Sequence, residues 1–158
     1  MNTFGCLKEI PSVRTYTYDA VCGASKIEVP QTYLLPEEFR PKVTNQGTVS
    51  ACVAFAIAEI LSVFNKKEFG EKEEVSEGFI YAYNREAPYR GMYPQSTIDL
   101  TTKVGSPLKK YYNKLYEMPE LYYDLQEEEN LDTLVEIAKK YKIKGYVGFL
   151  RGEVEEVK

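Results

Sequence analysis

The residues most able to do covalent chemistry lie in the run Asn45-Gln46-Gly47-Thr48-Val49-Ser50-Ala51-Cys52. A polar, glycine-containing turn leads straight into an apolar stretch, and a cysteine stands where that stretch begins. From 51 to 64 only Cys52, Glu59 and Ser62 interrupt the apolar residues, a pattern that predicts a helix buried nearly all round. Ser50 is placed to cap it by accepting from a backbone N–H two or three residues on. Cys52 then sits in the first turn, where the positive end of the helix dipole favours a thiolate. Gln46, six residues upstream, can bring a side-chain N–H toward the sulfur. A thiolate beside such a donor suits acyl transfer, because negative charge develops on the attacked carbonyl oxygen. The plainer reading is that Cys52 packs as a small hydrophobe, as most free cysteines do. Spacing alone leaves both open.

What the chain lacks narrows the chemistry further. Among its 158 residues there is no histidine, which excludes a histidine general base, a Cys-His dyad within this chain and the commonest zinc sites. Cys6, Cys22 and Cys52 are an odd number at wide spacing, neither a disulfide framework nor a metal knuckle. The spacing permits a Cys6–Cys22 bridge without requiring one. No cofactor and no metal are implied. A net charge of −4 with a pI near 5.1 gives no footprint for nucleic acid. No apolar run is long enough to cross a membrane and no secretory signal opens the chain, so the expected location is cytoplasmic.

Taken together, Asn45-Gln46-Gly47 and Cys52-Val53-Ala54-Phe55 resemble the active-site segment of papain-like cysteine peptidases. The resemblance implies that Cys52 is the nucleophile and Gln46 the oxyanion donor. Val53 stands where that family usually has tryptophan. Val49 stands where many members have a disulfide cysteine, which argues for a reducing compartment. Segment 35–40 looks like the family's start of the core domain, where a short extended piece is expected before the active-site turn. Further on, Gly91-Met92-Tyr93-Pro94 is similar to the Gly-Gly-x-Pro loop that offers backbone to an extended substrate. Here Met92 replaces the second glycine and is expected to narrow the groove. The substrate-binding residues so implied are Ser50, Gly91, Met92, Tyr93 and Pro94. Without the resemblance, Gly91 and Pro94 read simply as residues that start a helix.

The implied fold class is α+β: a mostly helical half around a central buried helix, an N-terminal extended arm, and the first strand of a β-rich half. Three sections are expected, with the arm over 1–35, the nucleophile-bearing part over 36–118, and a connection into the second half over 119–158. The arm carries strand-like pieces such as 14–18, and lies either across the cleft or along the back of the domain. A charged loop is expected at 65–74. Helices are expected over 75–84, capped by Ser76; over 95–104, closed by Gly105; over 119–129, opened by Pro119; and over 131–141, capped by Asn130. Residues 106–118 read as loop and 143–150 as β.

Papain-like peptidases place their histidine roughly 130–150 residues after the cysteine, beyond the last residue here. The chain is thus expected to be a cut piece of that fold. Two functions follow. One is a papain-like cysteine endopeptidase, inactive as this chain alone, whose partners are an extended peptide or protein substrate and a second half carrying His and Asn. The other is a non-catalytic relative that binds peptides or proteins. An exposed strand at 143–150 would also favour a homodimer.

Overall fold

The apolar run after the Gln46 turn folds into helix α1 (Cys52–Phe69). The computed structural model describes residues 6, 32, 34–70, 72–84, 91–114, 131–142, 144 and 145. Beyond α1 come α2 (Glu77–Asn84), α3 (Pro94–Lys103) and α4 (Leu131–Ala138). Short 3-10 turns lie at Glu37–Phe39 and Lys139–Tyr141. Glu37–Phe39 is therefore a turn where an extended piece was expected.

The two ends of α1 both need correction. Ser50 does not cap it: the N-cap is Ala51 and no side-chain cap bond is present. Ala51 N–H turns back onto Val49 O at 2.8 Å, and Ala51 O accepts Phe55 N–H at 3.0 Å, so the helix begins one residue later than a Ser50 cap requires. Nor does the helix stop at 64. Lysine is a good helix former, and the chain stays helical until Gly70, whose φ of 67° supplies a left-handed cap. Lys66 and Lys67 in the last turn oppose the negative end of the dipole.

The core gathers on one side of α1. Ala54, Ala58 and Leu61 are buried with Phe79, Ile80 and Tyr81 of α2, with Met92 and Leu108, and with Leu134 and Ala138 of α4. Phe79 stacks on Tyr83 at 5.3 Å and meets Tyr112 edge-on at 6.1 Å, both favourable ring geometries. The opposite side of α1 differs from the expectation of burial all round. Ala56, Ile60 and Phe64, spaced by four, form one exposed stripe, and Ile60 and Phe64 are each 51% exposed.

Capping follows the sequence more closely in the other helices. Ser76 Oγ accepts Phe79 N–H at 3.1 Å at the start of α2. Pro94 occupies the first turn of α3, and Gly105, at φ 78°, closes its end by donating to Thr101 O at 3.1 Å. Among the described residues there is no strand, only a parallel bridge Cys6–Met92 and an antiparallel bridge Val75–Leu108. The expected strand pieces at 14–18, the helix at 119–129 and the Asn130 cap lie outside the described residues, as does 143–150 apart from Lys144 and Gly145. The helical part of the architecture is thus observed. Cys6 is not in a disulfide, so the Cys6–Cys22 bridge is not formed.

Ser62 is a joint in this core. Its hydroxyl donates to Ala58 O at 2.7 Å and accepts Val75 N–H at 2.9 Å, both in buried surroundings. Ser62→Ala should leave the Val75 N–H without its acceptor and lower the unfolding free energy by about 1–3 kcal/mol. Urea denaturation followed by circular dichroism reads this directly; an unchanged midpoint would mean the bond carries no net stability.

Candidate active site

Three local bonds shape the turn before Cys52. Gly47 N–H donates to Asn45 Oδ1 at 2.9 Å, a side-chain-closed turn of the kind asparagine favours. Gly47 itself has a φ of 60°, a region glycine enters without penalty. Val49 N–H then donates to Gln46 O at 3.3 Å, and Gln46 Nε2 donates to Val49 O at 3.0 Å. The glutamine side chain is therefore folded over its own turn, held two residues before the helix cap. A carboxamide has two N–H donors, and Val49 O takes one of them. Gln46 is half-buried, as is Cys52, which packs against the core cluster at the first position of α1. The first turn of a helix leaves backbone N–H groups without intrahelical acceptors, and Cys52 is the first residue of that turn. Ser50 is half-buried in the same turn.

The Gly91–Pro94 loop is placed differently from expectation in one respect. Met92 is fully buried and belongs to the core cluster, so its side chain does not narrow a groove. A large apolar side chain gains more from the core than from an open cleft, and this turns Met92 inward. Its backbone pairs with Cys6 through the parallel bridge. Cys6 thus pairs with the loop that the resemblance would give to an extended substrate. Tyr93 is the N-cap of α3, and its carbonyl accepts Thr97 N–H at 3.0 Å and the Thr97 hydroxyl at 2.7 Å. Tyr93 and Pro94 are both half-buried, and Gly91 is buried. Met92 belongs to the core cluster, and Cys52 packs against that cluster.

A charged group that sequence reasoning missed lies behind the turn. Glu74 accepts Lys42 N–H at 2.9 Å with one carboxylate oxygen and Lys109 Nζ at 3.0 Å with the other. Lys109 also pairs with Glu77 at 3.1 Å. Partial burial by itself pushes the Glu74 carboxyl up, but the hydrogen bonds and charges of Lys109 and Lys42 outweigh it and hold the group below its ordinary value. Burial likewise pulls Lys109 down, and Glu74 and Glu77 together raise it above its ordinary value. A carboxyl lowered in the folded state stabilises above its unfolded value, and that contribution fades as pH falls through the folded one. The network is thus intact at neutral pH and weakens in acid. Among the described residues no group of three or more His, Cys, Asp or Glu is placed to hold a metal, and no helix is long and apolar enough to cross a membrane.

Comparison with known proteins rests on shape. No protein-family description matches the chain, and no curated protein does. Among solved structures, the crystal structure of xylellain, a cysteine protease from Xylella fastidiosa, matches with a TM-score of 0.65 at 18% sequence identity. The match covers 92% of this chain and 58% of that one, so the chain spans less than two thirds of that protease. The fold is therefore shared with a cysteine protease.

Proposed function

We propose that this chain is the nucleophile-bearing part of a papain-like cysteine endopeptidase. The observation that carries the reading is Cys52 as the first residue of α1, directly after a turn that folds the Gln46 carboxamide over the helix start, in a fold shared with a cysteine protease. The Cys52 thiolate attacks a peptide carbonyl carbon and the oxygen takes up the charge. The Gln46 N–H not engaged by Val49 donates to that oxygen, with help from the free N–H groups of the helix start. The proton needed by the leaving amine comes from a general acid, a protonated base, on a second polypeptide part, since this chain has no imidazole. An extended substrate lies along the Gly91–Tyr93 backbone, with Ser50, Tyr93 and Pro94 beside it. That site requires Cys6 to leave Met92. The Cys6–Met92 pairing also favours a second reading, a peptide-binding relative without catalysis, because it is a main-chain edge pairing with the backbone of another residue. Association of two copies of the chain remains part of the first reading.

Thiol labelling tests the nucleophile. Cys6 is exposed and Cys52 half-buried, so access alone predicts that iodoacetamide reaches Cys6 first. Activation at the helix start predicts the reverse order, with Cys52 alkylated ahead of Cys6 and Cys22 at neutral pH. Peptide mapping after brief labelling decides; a protected Cys52 would favour the binding reading.

A further inference from the structure

Segment 41–44 leads into the Gln46 turn, and little holds it in place. Val43 is 100% exposed, and Pro41 has no N–H to offer. Among the described residues the only hydrogen bond from 41–44 to the rest of the domain is Lys42 N–H to Glu74, 32 residues away. Glu74 is itself fixed from behind. Its second oxygen holds Lys109 Nζ, and its backbone carbonyl accepts Lys109 N–H at 2.8 Å. Its neighbour Val75 donates to Ser62 on α1 at 2.9 Å. The carboxylate is thus referenced to the helix that carries Cys52, and it reaches back to the strap that carries Gln46. Pro41 and Thr44 line a cleft with Phe55 and Ala58, one and two turns along α1 from Cys52.

We propose that Glu74 is a positioning residue for this site: by holding Lys42 N–H it fixes the Gln46 turn over the Cys52 end of α1. The proposal rests on the peptidase reading for its consequence, though the tether itself does not. A carboxylate suits the task, because a charge-assisted bond to an amide is shorter and stronger than a neutral one. Lys109 prevents that carboxylate from swinging away. A misplacement of about 1 Å in a reacting group is enough to change a rate by orders of magnitude.

Two measurements on the full chain test it. The first is amide hydrogen exchange at Lys42. Glu74→Ala should speed it about tenfold or more, the scale of one lost bond to a charged group, while the amides of Phe55 to Leu61 in α1 stay protected. The second compares two reactions at Cys52. Acylation by p-nitrophenyl acetate forms the acetyl thioester, releases p-nitrophenolate and develops an oxyanion; alkylation by iodoacetamide develops none. Glu74→Ala should slow acylation about tenfold relative to alkylation, and Glu74→Gln, which keeps an oxygen for Lys42 N–H, should restore most of it. A merely structural loss would lower both reactions together and would not be rescued. Lys109→Met is the milder variant if Glu74→Ala does not fold, with the same direction and a smaller effect. Unchanged exchange at Lys42 overturns the tether. Faster exchange with an unchanged ratio overturns the positioning role and leaves the peptidase reading standing. A wild-type Cys52 inert to both reagents overturns that reading while the exchange result keeps the tether.

Discussion

The purified 158-residue chain is expected to hydrolyse no peptide, although Cys52 should accept an acyl group from an activated ester. The two reactions differ in what leaves. A nitrophenolate departs as an anion, whereas a peptide amine departs only if a proton reaches its nitrogen in the transition state. In cysteine peptidases an imidazole supplies it, and this sequence contains none. General acid–base assistance is worth about 10²–10⁴-fold, and it is also what activates the nucleophile. Glu74, the carboxyl bonded to Lys42 and Lys109, is held below its ordinary value by those cationic neighbours. That makes it a poorer proton carrier at neutral pH, not a substitute. The check is a fluorogenic peptide assay alongside single-turnover acylation by p-nitrophenyl acetate. Turnover of the peptide that Cys52→Ala abolishes would show that the chain has a base of its own, and the proposed need for a second part would be wrong.

The part of this site that was legible in the sequence is the part that is local. Gln46 and Cys52 are six residues apart, so a turn followed by a helix fixes their relation. The start of α2 was equally plain, because Ser76 and Phe79 sit at cap spacing and are found bonded. Three features were hidden for physical reasons. The last turn of α1 was read as loop because its residues are charged, yet charge opposes burial rather than helix, and the first true stop was Gly70. Met92 gave no sign of its inward orientation, since a single residue in an extended loop shows no period. The link from Lys42 through Glu74 to Lys109 spans 32 and 35 residues. Only the folded chain brings those charges together. The family resemblance pointed to the right fold class for the helical part, while identity of 18% to the matched protease explains why shape found what sequence comparison did not.

Replacing Gly105 by alanine should be among the most damaging single changes in the helical part. Its φ of 78° lies where an L-residue is strained, at a cost of about 1–2 kcal/mol. The larger obstacle is space. A Cβ there would lie 2.1 Å from Ala138 O and 2.9 Å from Ala138 C, with Lys142 Cβ at 3.0 Å. A backbone carbonyl at the end of a helix cannot swing aside as a flexible side chain can, so α3 and α4 would have to separate. Overpacking of this kind costs about 1–3 kcal/mol more, giving about 2–5 kcal/mol for Gly105→Ala. Gly70→Ala is the matched control. Its φ of 67° carries the same strain, but nothing lies within 4 Å of the added carbon, so about 1–2 kcal/mol is expected from the backbone alone. Urea unfolding of both variants gives the difference, which isolates the contact between Gly105 and Ala138. If the two variants lose equal stability, that close approach does not exist in solution, and α4 does not pack against the end of α3 as described. If Gly105→Ala loses the larger amount while Cys52 keeps its labelling order, the α3–α4 contact contributes to stability and the nucleophile turn does not depend on it.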